Sequence, residues 1–163
     1  MAETLGSLLD KFTIKVIREY HITEMIDRGS EKFTKEELQG RLALLQKQKK
    51  ETMNEIDTYV KAAFSNEMPL RDEKIKLYNA RNVMDAIGDV RGIADAIDGL
   101  TKKNLEIWHL EDEARRTDVP LDYIGTIKRK IDPANQQRND FIDKIDELFA
   151  LAVTQARSGM NNA

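Results

Sequence analysis

Residues 10–24, DKFTIKVIREYHITE, and residues 98–112, DGLTKKNLEIWHLED, are the two stretches whose comparison decides the fold. Laid over each other at an offset of 88 residues, they put Asp10 on Asp98, Thr13 on Thr101, Tyr20 on Trp108, His21 on His109 and Glu24 on Asp112. Both histidines of the chain coincide, so the repeat carries polar chemistry as well as a hydrophobic rhythm. Self-similarity at a fixed offset is the mark of a duplicated supersecondary unit.

With one extra residue in the intervening turn, a second pair of segments superposes. Leu38, Leu42, Leu45, Lys49, Thr52, Ile56 and Tyr59 fall on Ile127, Ile131, Ala134, Arg138, Phe141, Ile145 and Leu148. Steps of three and four place such residues on one stripe of a helix. The reading is therefore all-α: a four- to five-helix bundle made of two repeated helix pairs. It forms a single helical domain over residues 1–163, with repeats at about 5–64 and 93–153 and a connecting helical segment at about 69–92.

Local signals set the boundaries. The first helix is expected from about Thr4 to Ile26, with Leu5, Leu9, Phe12, Val16 and Tyr20 as its buried stripe, and Arg28-Gly29-Ser30 ends it. Thr34 followed by Glu37 has the form of a capping box, so the next helix starts there and runs to about Phe64. Pro69 opens a third helical pattern through Ile75, Tyr78, Val83, Ile87 and Val90, which Gly88, Gly92 and Gly99 weaken. The pattern resumes from about Ala94 to Arg116, and Pro120 starts the last helix, which runs to about Arg157. Pro133 must kink that helix or begin a new one capped by Asp132.

The composition narrows the function classes. Charged residues make up 34% and aromatics 6%, which suits amphipathic helices with solvated faces. There are no cysteines, which rules out disulfides and thiolate chemistry and fits a reducing, cytoplasmic setting. Met1–Asp10 lacks the features of a secretory leader, and no apolar run approaches the roughly 20 residues of a membrane span. A net charge of −3 with both signs dispersed gives no evident nucleic-acid surface.

The second half, Asn104-Leu105-Glu106-Ile107-Trp108-His109-Leu110-Glu111-Asp112-Glu113-Ala114-Arg115-Arg116 with Ile131-Asp132 and Asn135-Gln136-Gln137-Arg138-Asn139-Asp140, resembles an uncharacterised bacterial and phage family, the domain of unknown function four-two-five-four. Leu5-Gly6-Ser7-Leu8-Leu9-Asp10-Lys11-Phe12-Thr13-Ile14 is similar to the opening motif of the same and related helical families. The resemblance implies a helical fold and brings no activity. Two departures bear on it: Gly99 stands where the first repeat and the family pattern have lysine, and Pro133 interrupts a helix that the pattern keeps continuous.

The candidate ligand-binding residues are Trp108, His109, Asp112, Asn135, Arg138 and Asn139, with Tyr20, His21, Glu24, Gln46 and Lys49 as their counterparts. Lys49 and Arg138 occupy an otherwise apolar seam, and a buried charge there requires a carboxylate, backbone carbonyls or an anionic ligand. Arginine grips phosphate or carboxylate bidentately, and tryptophan offers a stacking face. The alternative is an internal network joining Arg138 to Asp98 and Lys49 to Asp10. Asp140, Asp143 and Asp146 form an acidic ladder, read as a solvated flank or as magnesium ligands.

No catalytic residue, metal site or cofactor is assigned, and neither a nucleophile triad nor a glycine-rich phosphate loop is present. The expected function is non-catalytic binding of a small phosphorylated or nucleotide-like ligand or of a protein partner, in a chain of phage or bacterial type. The alternatives are a metal-assisted phosphohydrolase built on His109, Asp112 and the acidic ladder, and a structural or assembly protein without a small ligand. Leu44, Met53 and Val60 are left over for either a core contact or a homo-oligomer.

Overall fold

A computed structural model describes residues 3–65, 70 and 87–160. Among these residues there are four helices and no strand: α1 (Leu5–Arg28), α2 (Lys35–Phe64), α3 (Ile93–Ala114) and α4 (Leu121–Met160). The all-α bundle expected from the sequence is what the chain forms. Most of the helix expected from Pro69 lies outside the described residues, and residues 88–92 are not helical. None of the described helices is long and apolar enough to cross a membrane.

The helix starts follow from local chemistry. Thr4 accepts the amide of Ser7 at 3.2 Å and caps α1. At α2 both halves of the capping box form: Thr34 accepts from the Glu37 amide at 3.2 Å, and Glu37 accepts from the Thr34 amide at 2.8 Å. The Pro120 carbonyl accepts the amides of Tyr123 and Ile124 at 3.1 and 3.3 Å and opens α4. Across the preceding turn, Tyr123 donates to Glu113 at 2.8 Å and ties the start of α4 to the end of α3.

α1 packs on α2 and α3 packs on α4, while α1 also lies against α3 and α4. The core forms where the first turns of α1, the end of α2 and the second half of α4 meet α3, through Leu5, Leu8, Tyr59, Leu100, Ile145 and Val153. Burying a side chain of this size contributes roughly 1.5–3 kcal/mol. The two seams share their burial: Leu38 and Ile127, Leu45 and Ala134, and Thr52 and Phe141 are buried, and the basic Lys49 and Arg138 are half-buried.

Two glycines permit the close approaches. A Cβ on Gly6 would lie 2.4 Å from the backbone oxygen of Ile142, so α1 rests directly on the backbone of α4. At Gly99 a Cβ would fall 2.2 Å from the Phe141 ring. Where the first seam has the small Thr52, the second has Phe141, and the ring occupies the space that Gly99 leaves.

Three expectations need correction. The α1 stripe fails at its far end: Val16 is 41% and Tyr20 64% exposed, while Leu8 and Thr13 are buried instead. Strict recurrence from Leu5 drifts across the helix surface, and the buried face follows α3 and α4, not a constant step. Of the two alternatives at Pro133, a new helix is not what forms, because α4 is continuous from Leu121 to Met160 with Pro133 inside it. Buried Ile127 and Ala134 flank the proline and anchor the helix on both sides. Packing thus outweighs the lost hydrogen bond. The acidic ladder is not a solvated flank either, since Asp140 and Asp146 are 1% and 3% exposed.

Pro133 is itself exposed, so nothing packed around it needs the ring. Pro133→Ala should raise the unfolding free energy by about 1–2 kcal/mol, part of the ~3 kcal/mol that proline costs in a helix interior. Urea unfolding monitored by circular dichroism tests this. Unchanged or lower stability would show that the proline shapes α4 usefully.

Candidate functional site

The candidate site lies where α1, α3 and α4 converge. On α3, Asn104, Trp108, Glu111 and Arg115 recur at four, three and four residues and share one face. On α1, Ile14 and Arg18 stand one turn apart. Together with Ile107 of α3 and Arg138 of α4, these residues line a cavity of about 200 Å3.

Its floor is a polar knot. Asn104, 5% exposed, donates to Asp10 Oδ1 and to Thr13 Oγ1, both at 2.8 Å. Arg138 Nε lies 4.0 Å from the same Asp10 oxygen. Asp10 thus joins α1 to both α3 and α4. The expected networks are corrected: Asp98 pairs instead with Lys102 at 2.6 Å on its own helix, and Lys49 pairs with Glu19. α1 lies against α3 and α4 as well as α2, so Asp10 faces the second seam.

The aromatic wall comes from both halves of the chain. The His21 ring stacks on Trp108 with centroids 4.9 Å apart and planes 5° apart. Tyr20 and His109 meet His21 edge-on, at 5.4 and 6.1 Å. Such ring pairs are worth roughly 0.5–1.5 kcal/mol beyond their buried area. His21 Nδ1 lies 3.7 Å from Glu24, which also pairs with Arg28 at 2.8 Å. In the second copy Asp112 turns to Arg115 at 3.4 Å, and His109 is exposed.

The structure therefore brings Trp108, Arg138 and His21 together and holds Tyr20 and His109 at their edge. Asn135 is half-buried and Asn139 exposed on α4, and neither lines the cavity. Gln46 and Lys49 form a separate cluster on α2, with Gln46 donating to Glu19 at 3.1 Å. The four-three-four spacing marks Asn104, Glu111 and Arg115 as sharing the face of Trp108, whereas Arg18 on α1 carries no such signal in the sequence.

Two cavity residues carry buried donors that meet no acceptor among the described residues: Trp108 Nε1 and Arg138 Nε. His21 Nε2 is buried beside them and likewise unmatched there. An unmatched buried donor costs roughly 1–3 kcal/mol. Arg18 has no carboxylate partner among the described residues, whereas Arg115 reaches Glu111 at 3.5 Å as well as Asp112.

The acidic ladder has structural work. Asp146 accepts the Gly6 amide at 2.7 Å, satisfying an early N–H of α1, and Gln136 donates to Asp140 at 3.1 Å. Among the described residues, no three histidine, aspartate or glutamate side chains are grouped to hold a metal ion.

At the Glu19 cluster, the hydrogen bond from Lys49, helped by Gln46, holds the Glu19 carboxyl below its ordinary value of 4.5. A lowered folded value contributes stability that is present above the unfolded value and lost as pH falls through the folded one. Melting temperature should therefore fall as pH drops from about 5 to about 3, and Lys49→Met should show a shallower fall over that window. Parallel curves for the two proteins would remove Lys49 as the cause.

The fold and this site define the class: an all-α helical bundle with an arginine-lined cavity between α1, α3 and α4. Residues 94–163 match the model of a family described as a protein of unknown function (DUF4254). The segment contains α3 and α4, and with them Asn104, Trp108, Arg115 and Arg138. The resemblance read in the second half is borne out there. Asp10, Arg18 and His21 lie in the part of the chain before that match. No curated protein matches the chain, and neither does any solved structure.

Proposed function

We propose that the protein is a non-catalytic helical binding protein that captures a small phosphorylated ligand in the cavity between α1, α3 and α4. The observation that carries this reading is the convergence of Arg18, Arg115 and Arg138, from three helices, on one cavity of about 200 Å3 walled by Trp108. Guanidinium groups meet phosphate oxygens with paired N–H donors, and Arg138 is half-buried while Arg18 and Arg115 stand exposed at the mouth. The buried donors of Trp108 and Arg138 favour a ligand that brings acceptors. A cytoplasmic setting, from the cysteine-free composition, belongs to the same proposal.

Arg138→Ala is the direct test. Charge-assisted hydrogen bonds contribute roughly 1.5–3 kcal/mol, so the affinity for inorganic phosphate measured by calorimetry should fall about tenfold or more. Arg138→Lys should recover only part of the loss, because it restores the charge without the fork. Phosphate binding that is unaltered in Arg138→Ala would move the site elsewhere.

A further inference from the structure

The cavity also restricts which phosphorylated ligands it can take. Resting on the reading just given, we infer that the ligand is a compact phosphomonoester held by its phosphate, not a nucleotide held by its base.

Size is the first constraint. About 200 Å3 is below the roughly 300–1,000 Å3 of sites that enclose drug-sized or cofactor-sized ligands. It accommodates a phosphate with a short substituent, whereas a base and ribose would have to remain outside.

Hydrogen-bond capacity is the second. A nucleobase presents donors and acceptors together and is recognised by both. Here both Asn104 N–H groups go to Asp10 and Thr13, and Glu111 faces Arg115. The unmatched groups on lining residues are Trp108 Nε1 and Arg138 Nε, which can only donate. A phosphate brings only acceptors to these donors. One face of the Trp108 ring is already covered by His21, which reduces what the indole can offer a base.

Charge is the third. The lining holds three guanidinium groups and one carboxylate; Asp10 and Asp112 stand beside Arg138 and Arg115, while Arg18 has no carboxylate partner among the described residues. A phosphomonoester carries about −1.5 to −2 near neutral pH, and a diester only about −1. The second negative charge of the monoester therefore strengthens its attraction to these guanidinium groups.

The test uses the full chain, with calorimetry and the emission of Trp108, which is the sole tryptophan. Glycerol phosphate should bind and shift that emission, while a nucleoside monophosphate and dimethyl phosphate should bind at least about tenfold more weakly. Trp108→Phe keeps the ring against His21 and removes only the N–H, so it should weaken glycerol phosphate about fivefold or more with the circular dichroism spectrum unchanged. A nucleoside monophosphate that binds as tightly as glycerol phosphate, or a Trp108→Phe protein with undiminished affinity, would overturn the inference while leaving phosphate binding intact. Absence of binding by every phosphate would instead overturn the proposed function and the inference with it. Tighter binding of a phosphoserine peptide than of free phosphoserine would support an ester carried on a protein, and the reverse would support a free small molecule.

Discussion

Replacing Gly6 by alanine is expected to lower the unfolding free energy by roughly 3–5 kcal/mol. The added carbon would lie 2.4 Å from the Ile142 carbonyl oxygen and 3.1 Å from Asp146 Oδ1. The first of these is backbone in the middle of α4 and has no rotamer by which to withdraw. α1 must therefore lift, and lifting stretches the 2.7 Å bond from the Gly6 amide to Asp146, a buried acceptor on the facing helix. Overpacking and a lost buried hydrogen bond act together at one point. Gly40→Ala supplies the control: it lies inside α2 with nothing within 4 Å of the new carbon, and it should stabilise by about 0.5–1 kcal/mol. Denaturant unfolding of both variants decides the matter. A Gly6→Ala protein as stable as its parent would mean that α1 and α4 do not meet this closely in solution.

The second large effect has two signs. Asp10→Asn keeps an oxygen for the Asn104 amide and removes only the charge that faces Arg138 at 4.0 Å. The guanidinium, half-buried on α4, is left without that carboxylate, and stability should fall by about 1–3 kcal/mol. Affinity for phosphate should move the other way and rise roughly fivefold, because the ligand no longer competes with Asp10 for the same cation. Thermal unfolding with and without phosphate measures both in one experiment, since a ligand bound only by the folded state raises the melting temperature. Weaker phosphate binding in Asp10→Asn would show that the carboxylate holds Arg138 in its binding pose.

What the sequence disclosed was local. Thr34 with Glu37, and Pro120 ahead of Leu121, are helix starts that a few neighbouring residues determine, and both stand where expected. The seam residues Leu38, Leu45, Ile127 and Ala134 are buried as their spacing implies. What it concealed depends on which helices are neighbours. Nothing near Gly99 states that a phenylalanine 42 positions later will fill its missing side chain. Nothing around Asp146 states that this carboxylate belongs under α1, so its place in an aspartate ladder reads as solvent. The site shows the same division. Trp108 and Arg138 stand out by residue type alone, whereas Arg18 and Arg115 look like surface cations until α1 is laid against α3. The duplicated pattern also misled, because it suggested that each aspartate serves its own copy, whereas Asp10 serves the other.

The bond between the Gly6 amide and Asp146 has one more consequence, for the ribosome. Donor and acceptor are 140 positions apart. At a synthesis rate of roughly 5–20 residues per second, α1 emerges about 7 to 28 seconds before the carboxylate that completes its first turn. During that interval α1 and α2 are present as a hairpin whose apolar face, Leu5 and Leu8 included, lacks its cover from α4. That interval is the nascent chain's period of greatest exposure to chaperones and proteases. Slow codons placed before residue 141 would lengthen it, and should lower the yield of native protein without altering a single amino acid.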